Sequence, residues 1–210
     1  MNAPSPDARP VLGVDGYARG WVAVALEEGR FATARTFRTF REVCAAFPQA
    51  VCLAVDIPVG PGPRDADAAA RRFVGPRWAS VFPTPPREVI QLDDYAEAVR
   101  VYPSLSRQSF ALFAKIREVA ESLADHVVEV HPEVSFRALK GAYLEESKTT
   151  WNGFMERRAL LAATGIEIPD ALPAGVPLVD VLDAAVAAWS AARHARGESS
   201  SLGDLPAIWY

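Results

Sequence analysis

Val11-Leu12-Gly13-Val14-Asp15 is a tight apolar run that ends on a carboxylate, and the rest of the architecture follows from it. Gly16-Tyr17-Ala18-Arg19-Gly20 reads as a loop into a second apolar run, Trp21 to Leu26, and Glu28-Gly29 turns the chain into a third strand, Arg30 to Thr36. Thr39 to Phe47 has helical spacing and is stopped by Pro48. The opening is therefore a three-stranded meander followed by a helix. Val51-Cys52-Leu53-Ala54-Val55 is continuously apolar, as expected for a strand covered on both faces, and it ends on Asp56 before Pro58 breaks it. Two strands thus each deliver an aspartate at the C-terminal end.

Seven of the 17 prolines fall between Pro58 and Arg87, so this part reads mostly as loop with a short helix around Asp65 to Phe73. Residues 58–123 form an excursion that includes a helical period from Ser104 to Leu123. Val127 to His131 reads as a strand stopped by Pro132, with helices expected over Val134 to Gly141, Thr149 to Thr164 and Val179 to Arg196, and a short apolar end at Ala207 to Tyr210. With 210 residues the chain fits a single α/β domain over 1–210, led by a short unstructured segment.

The chain carries 22 basic and 26 acidic residues, a formal charge of −4. That balance excludes a protein that coats nucleic acid or an anionic membrane by bulk charge, and leaves room for a local basic groove. Cys44 and Cys52 read as buried, with no Cys-x-x-Cys pair, which argues against a zinc site and for a reducing setting. No apolar run approaches the roughly 20 residues that span a bilayer. The start, Met-Asn-Ala-Pro-Ser-Pro, lacks the regions of a signal peptide, so a cytoplasmic protein is expected.

Asp15, Asp56, Glu133 and the pair Asp180 and Asp183 all stand at the ends of apolar elements. A carboxylate beside a buried strand is costly unless it meets a cation or donors, and several converging would make a site for a hard divalent metal. Each acid alone could equally cap a turn or helix. On the last helix, residues advance about 100° each. Val179, Leu182, Val186 and Trp189 share the stripe facing the sheet, Asp183 sits at its edge, and Asp180 lies further round toward solvent. Asp183 is the better ligand, with Asp180 a helper or a partner of the helix dipole.

Taken together, Val-Leu-Gly-Val-Asp15-Gly-x-x-x-Gly-Trp21, Ala-Val-Asp56-Ile-Pro-Val-Gly60, Arg71-Arg72-x-x-Gly75-x-Arg77-x-Ser80-Val81-Phe82-x-x-Pro85, Val-His131-Pro132-Glu133-x-x-Phe136, Ser147-Lys148-x-x-x-x-Gly153-x-x-x-Arg157 and Asp180-x-x-Asp183-Ala184 resemble the DUF429 family. That family is described as predicted nucleases with an RNase H-like fold, and the resemblance spans nearly the whole chain. It implies a mixed sheet, a three-stranded antiparallel meander plus parallel strands, flanked by helices, with a closing helix that carries a metal-binding acid. It further implies that Asp15, Asp56 and Asp183 bind two Mg²⁺ or Mn²⁺ ions, with Glu133 a fourth catalytic candidate. Acids three apart on the last helix are similar to those of the Holliday-junction resolvase branch. The implied activity is two-metal hydrolysis of phosphodiester bonds in nucleic acid, DNA or RNA, with the ions roughly 3.5–4 Å apart.

On that reading Arg71, Arg72, Arg77 and Arg87 are phosphate-contact candidates, together with Ser80 in the same segment, although Arg71 or Arg72 could be no more than a solvated helix face. Lys148 and Arg157 suggest a second cationic side of the pocket, with Ser147 or Thr149 capping the following helix; an incidental lysine in a capping loop is the competing reading. His131 is a proton shuttle or a satisfied strand-end residue. Trp21, Trp78, Trp151 and Phe82 could stack on bases or belong to the core. Two other functions fit the acids: a phosphotransferase or nucleotidase on a small phosphorylated ligand, and a non-catalytic nucleic-acid-binding module with a retained metal pocket. Actin-like sugar kinases share an opening strand with Asp-Gly-x-x-x-Gly, but they duplicate the core over a longer chain, and no Gly-x-x-x-x-Gly-Lys loop is present.

Overall fold

A computed structural model describes residues 9–172 and 175–210; the lead segment 1–8 lies outside the described residues. Strands β1 (Val11–Tyr17), β2 (Gly20–Glu27) and β3 (Arg30–Phe37) form the antiparallel meander. β4 (Cys52–Val55) and β5 (Val127–Glu129) extend it in parallel, giving the order β3-β2-β1-β4-β5. The expected loop after Asp15 is instead a tight hairpin. β1 runs on through Asp15 and Gly16, Tyr17 pairs with Gly20, and Ala18-Arg19 alone make the turn. Gly20 has φ +143°, and a Cβ there would meet the Phe37 carbonyl at 2.0 Å, so only glycine lets β2 start this close to the end of β3.

Helix α1 (Phe40–Ala46) begins with a capping box between Thr39 and Glu42. The excursion is more helical than its prolines suggest. After α2 (Asp65–Val74) and a 3₁₀ turn (Gly75–Ser80) come α3 (Arg87–Ile90), α4 (Tyr95–Val101), α5 (Arg107–Ala111) and α6 (Phe113–Glu121). The single helix expected over Ser104 to Leu123 is thus two, starting only after Ser106, whose hydroxyl accepts from the Ser109 amide, and broken at Leu112. Then follow α7 (Pro132–Lys140), closed by left-handed Gly141; α8 (Trp151–Ala163), capped by Thr150 and not by Ser147 or Thr149; and α9 (Leu178–Ala195). A small hairpin of β6 (Ser201–Leu202) and β7 (Ile208–Trp209) ends the chain.

The pleat assigns β1 two faces. Leu12 and Val14 pack with Phe40, Val43, Phe113 and Ile116 on one side. Val11 joins the cluster of α7, α8 and α9 on the other, to which Phe136, Leu161, Val181 and Leu182 contribute. Gly13 lies on this second face, where a Cβ would sit 1.9 Å from the Ala184 carbonyl oxygen and 2.1 Å from the Ala188 nitrogen. The absence of a side chain lets α9 rest directly on β1, and Asp15, two residues on, emerges beside Asp183. Among the described residues no helix is long and apolar enough to cross a membrane.

Candidate metal centre

The C-terminal ends of β1, β4 and β5 open into a cavity of about 270 Å³, the usual place for a ligand in an open α/β sheet. Asp15 and Asp56 extend the β1–β4 pair by one residue, and the Asp56 amide donates to the Val14 carbonyl at 3.0 Å. The first turns of α9 bring in Asp180 and Asp183. Ligand atoms of Asp15, Asp180 and Asp183 all lie within 4.8 Å of one another, a group that could hold a metal ion. Asp180, expected as a helper turned toward solvent, belongs to this triad. Asp56 lines the same cavity without joining it.

Asp15 and Asp183 are 7% and 1% exposed. Burial is the largest cause that raises the pKa of each of the four aspartates, and repulsion from neighbouring carboxylates adds to it. Asp56 is pushed up to about 8, by burial first and then by Asp183. Lys148 opposes this. Its Nζ donates to Asp183 Oδ2, and although burial alone would lower the lysine, the acids around it raise it overall. Asp183 Oδ1 is buried and has no hydrogen-bond partner, a costly state for a carboxylate unless something else binds there. All-oxygen donors with one oxygen unfilled fit a hard divalent cation.

The loop that presents Lys148 is locally built for it. A Cβ at Gly153 would meet the Ser147 carbonyl at 2.0 Å, so glycine allows the start of α8 to fold tightly onto the loop. Arg157 fastens the same turn by donating to the carbonyls of Gly153, at 2.9 Å, and Glu146, at 3.2 Å. It also grips both carboxylate oxygens of Glu133, at 2.8 and 2.9 Å. Arg157 is fully buried, which corrects its expected substrate contact: no ligand reaches it. Glu133 lines the cavity, but its charge is matched by Arg157, not left free for an ion.

The phosphate track expected along the excursion also needs correction. Arg71 stacks on Trp78 at 4.9 Å and reaches its carbonyl, Arg72 flanks a separate surface groove with Phe73 and Tyr143, and Arg77 is spent on the carbonyls of Leu144 and Glu145. Arg87 borders another groove beside Gln91 and Arg117. None of the four lines the cavity; Ser80 does. His131 does as well, bonding through Nε2 to the Ser80 carbonyl at 3.3 Å. An acceptor there requires the proton on Nε2, and burial lowers the ring's pKa to about 4, so the ring is uncharged at neutral pH. Of the aromatic candidates, Trp21 is core, with its Nε1 donating to Glu118; Trp78 and Trp151 are exposed outside the cavity; Phe82 is at its wall.

Three residues escaped the sequence reading. Arg64 donates to Asp67 and, through both terminal nitrogens, to Glu129, while the amides of Val59 and Thr84 donate to Glu129 and Asp67. This buried network forms the wall facing the acids. Glu129 alone carried a visible signal, a charge inside the apolar run Val127-Val128-Glu129-Val130.

Neither a curated protein nor a solved structure matches the chain. A family model described as "Protein of unknown function (DUF429)" matches residues 13–207, a span that holds most of β1, all of α9 and every acid of the cavity. The chain therefore belongs to the DUF429 family.

Proposed function

We propose that the protein is a divalent-metal-dependent phosphodiesterase acting on nucleic acid, a nuclease on an RNase H-like scaffold. The observation that carries this reading is the unpartnered Oδ1 of Asp183, 1% exposed and grouped with Asp15 and Asp180. The sheet order β3-β2-β1-β4-β5, with acids on β1, after β4 and on the closing helix, supports the scaffold. Asp15, Asp180 and Asp183 would hold Mg²⁺ or Mn²⁺, and Asp56 supplies the further carboxylate that a second ion needs. Bound ions supply stabilisation of the negative charge on the attacking and leaving oxygens of a phosphodiester. Lys148 neutralises Asp183 and presents a cation at the cavity to orient a phosphate. Glu133 and Arg157 fix the loop that carries Lys148. Burial of the acids keeps bulk water away and strengthens each of these interactions.

Oligonucleotide cleavage in Mn²⁺ tests the reading, alongside calorimetric Mn²⁺ titration. Asp15→Asn is expected to abolish cleavage and weaken ion binding with an unchanged circular dichroism spectrum. Cleavage that persists in the Asp15→Asn, Asp56→Asn double variant overturns it.

A further inference from the structure

The cavity that holds the acids is small and walled by several elements. The strand ends and α9 supply the acids, the loop before α8 supplies Lys148, and the end of the 3₁₀ turn and the segment after it bring in Ser80, Phe82 and Thr84; α5 and the following turn add Gln108 and Leu112. Its 270 Å³ lies just below the range of small-molecule pockets, roughly 300–1,000 Å³. An internal phosphodiester entering far enough to meet Asp15 and Asp183 would bring two strands of backbone with it, whereas a chain end brings one.

Charge points the same way. Binding along a polynucleotide draws on a row of cations, each neutralising a phosphate. The only cations lining this cavity among the described residues are Arg64 and Lys148, both already paired with carboxylates, and Arg71, Arg72, Arg77 and Arg87 are turned elsewhere. The wall, by contrast, also holds uncharged polar residues. Thr84 Oγ1 and His131 Nδ1 are buried without partners on residues that line the cavity, and Phe82 beside them offers a ring on which a base can stack.

We propose that the cavity admits one terminal nucleotide of a linear single strand, and excludes the internal phosphodiesters of a continuous strand. This rests on the phosphodiesterase reading and assigns its substrate class. The reaction is hydrolysis: water adds to the terminal phosphodiester, the bond to the penultimate sugar oxygen breaks, and that oxygen takes up the proton as a mononucleotide leaves.

The test compares a dinucleotide, a linear oligonucleotide and a covalently closed circular single strand of the same sequence, in deoxy and ribo forms, with Mn²⁺. The linear substrates are expected to yield mononucleotides, and the circle to react roughly a hundredfold more slowly or not at all. Binding supplies a readout without turnover. A labelled linear trinucleotide held by the Asp56→Asn protein should be displaced by a nucleoside monophosphate and not by the circle. A circle that is cut as fast as the linear strand, or that competes equally, overturns the inference and leaves the phosphodiesterase reading intact. End-selective binding with no cleavage of any substrate by the wild type overturns that reading and supports the end-binding site. Failure to bind and to cleave overturns both.

Discussion

Lys148 meets two opposed demands at the level of the single side chain. Its ammonium relieves repulsion among four clustered aspartates, two of them buried, and for the same reason it competes with any divalent ion for Asp183. Lys148→Met should therefore tighten Mn²⁺ binding by about tenfold, some 1.4 kcal/mol, while cleavage falls; calorimetry and initial rates read the two effects separately. Arg157 makes the contrasting case. Arg157→Met leaves Glu133 buried and unmatched and should cost about 3–5 kcal/mol in urea unfolding, most of it regained by adding Glu133→Leu. Asp15 and Asp56 were legible because each follows an apolar strand run, and Asp183 because it sits at the edge of the apolar stripe of α9. Asp180 was ranked too low because a helical wheel gives angles around α9 and says nothing about what lies opposite its first turn. Arg157 was misread since nothing in sequence links it to a carboxylate 24 residues earlier.

Gly13 shows what a whole element requires. Gly13→Ala places a methyl group where the backbone of α9 passes, so the helix must shift and carry Asp180 and Asp183 away from Asp15. The expected result is a loss of about 1–3 kcal/mol or more from overpacking, together with weakened Mn²⁺ binding, seen as a lower melting temperature and a smaller shift on adding the ion. The strands and α9 could be read from sequence because long apolar runs and helical stripes leave few alternatives. α3 and α4 were not, although Asp94 and Glu97 stand three apart as capping residues do, and the Asp94 carboxylate does accept from the Glu97 amide. Such short helices depend on being packed: α3, α4 and α6 contribute Val89, Ile90, Ala98 and Ile116 to one shared cluster against the sheet. The β6–β7 pairing, two residues on each side, carried no pattern long enough to detect.

For the whole molecule, the charge of −4 acquires an address. Asp15, Asp56, Asp67, Glu129, Glu133, Asp180 and Asp183 make seven carboxylates at the cavity, set against Arg64, Lys148 and Arg157, so the excess of four equals that of the entire chain. In chelator-treated protein this has a pH signature. Folded-state values raised above an ordinary 3.8, to about 8 for Asp56, mean that the native state holds protons the unfolded chain releases. Their contribution to stability is complete below about pH 4 and is lost as pH rises toward 8. The melting temperature of the metal-free protein should fall between pH 5 and 8.5, and Mn²⁺ should recover more of it at the upper end; a flat profile in chelator would contradict the acid cluster. The closing helix also imposes an order on synthesis. The face of the sheet that holds Val22, Val24 and Ala54 is covered by residues 181–192, which are synthesised after all five strands of that sheet. Until then a growing chain carries its meander with one apolar side open, which makes α9 the step that ends its exposure to aggregation and to chaperones.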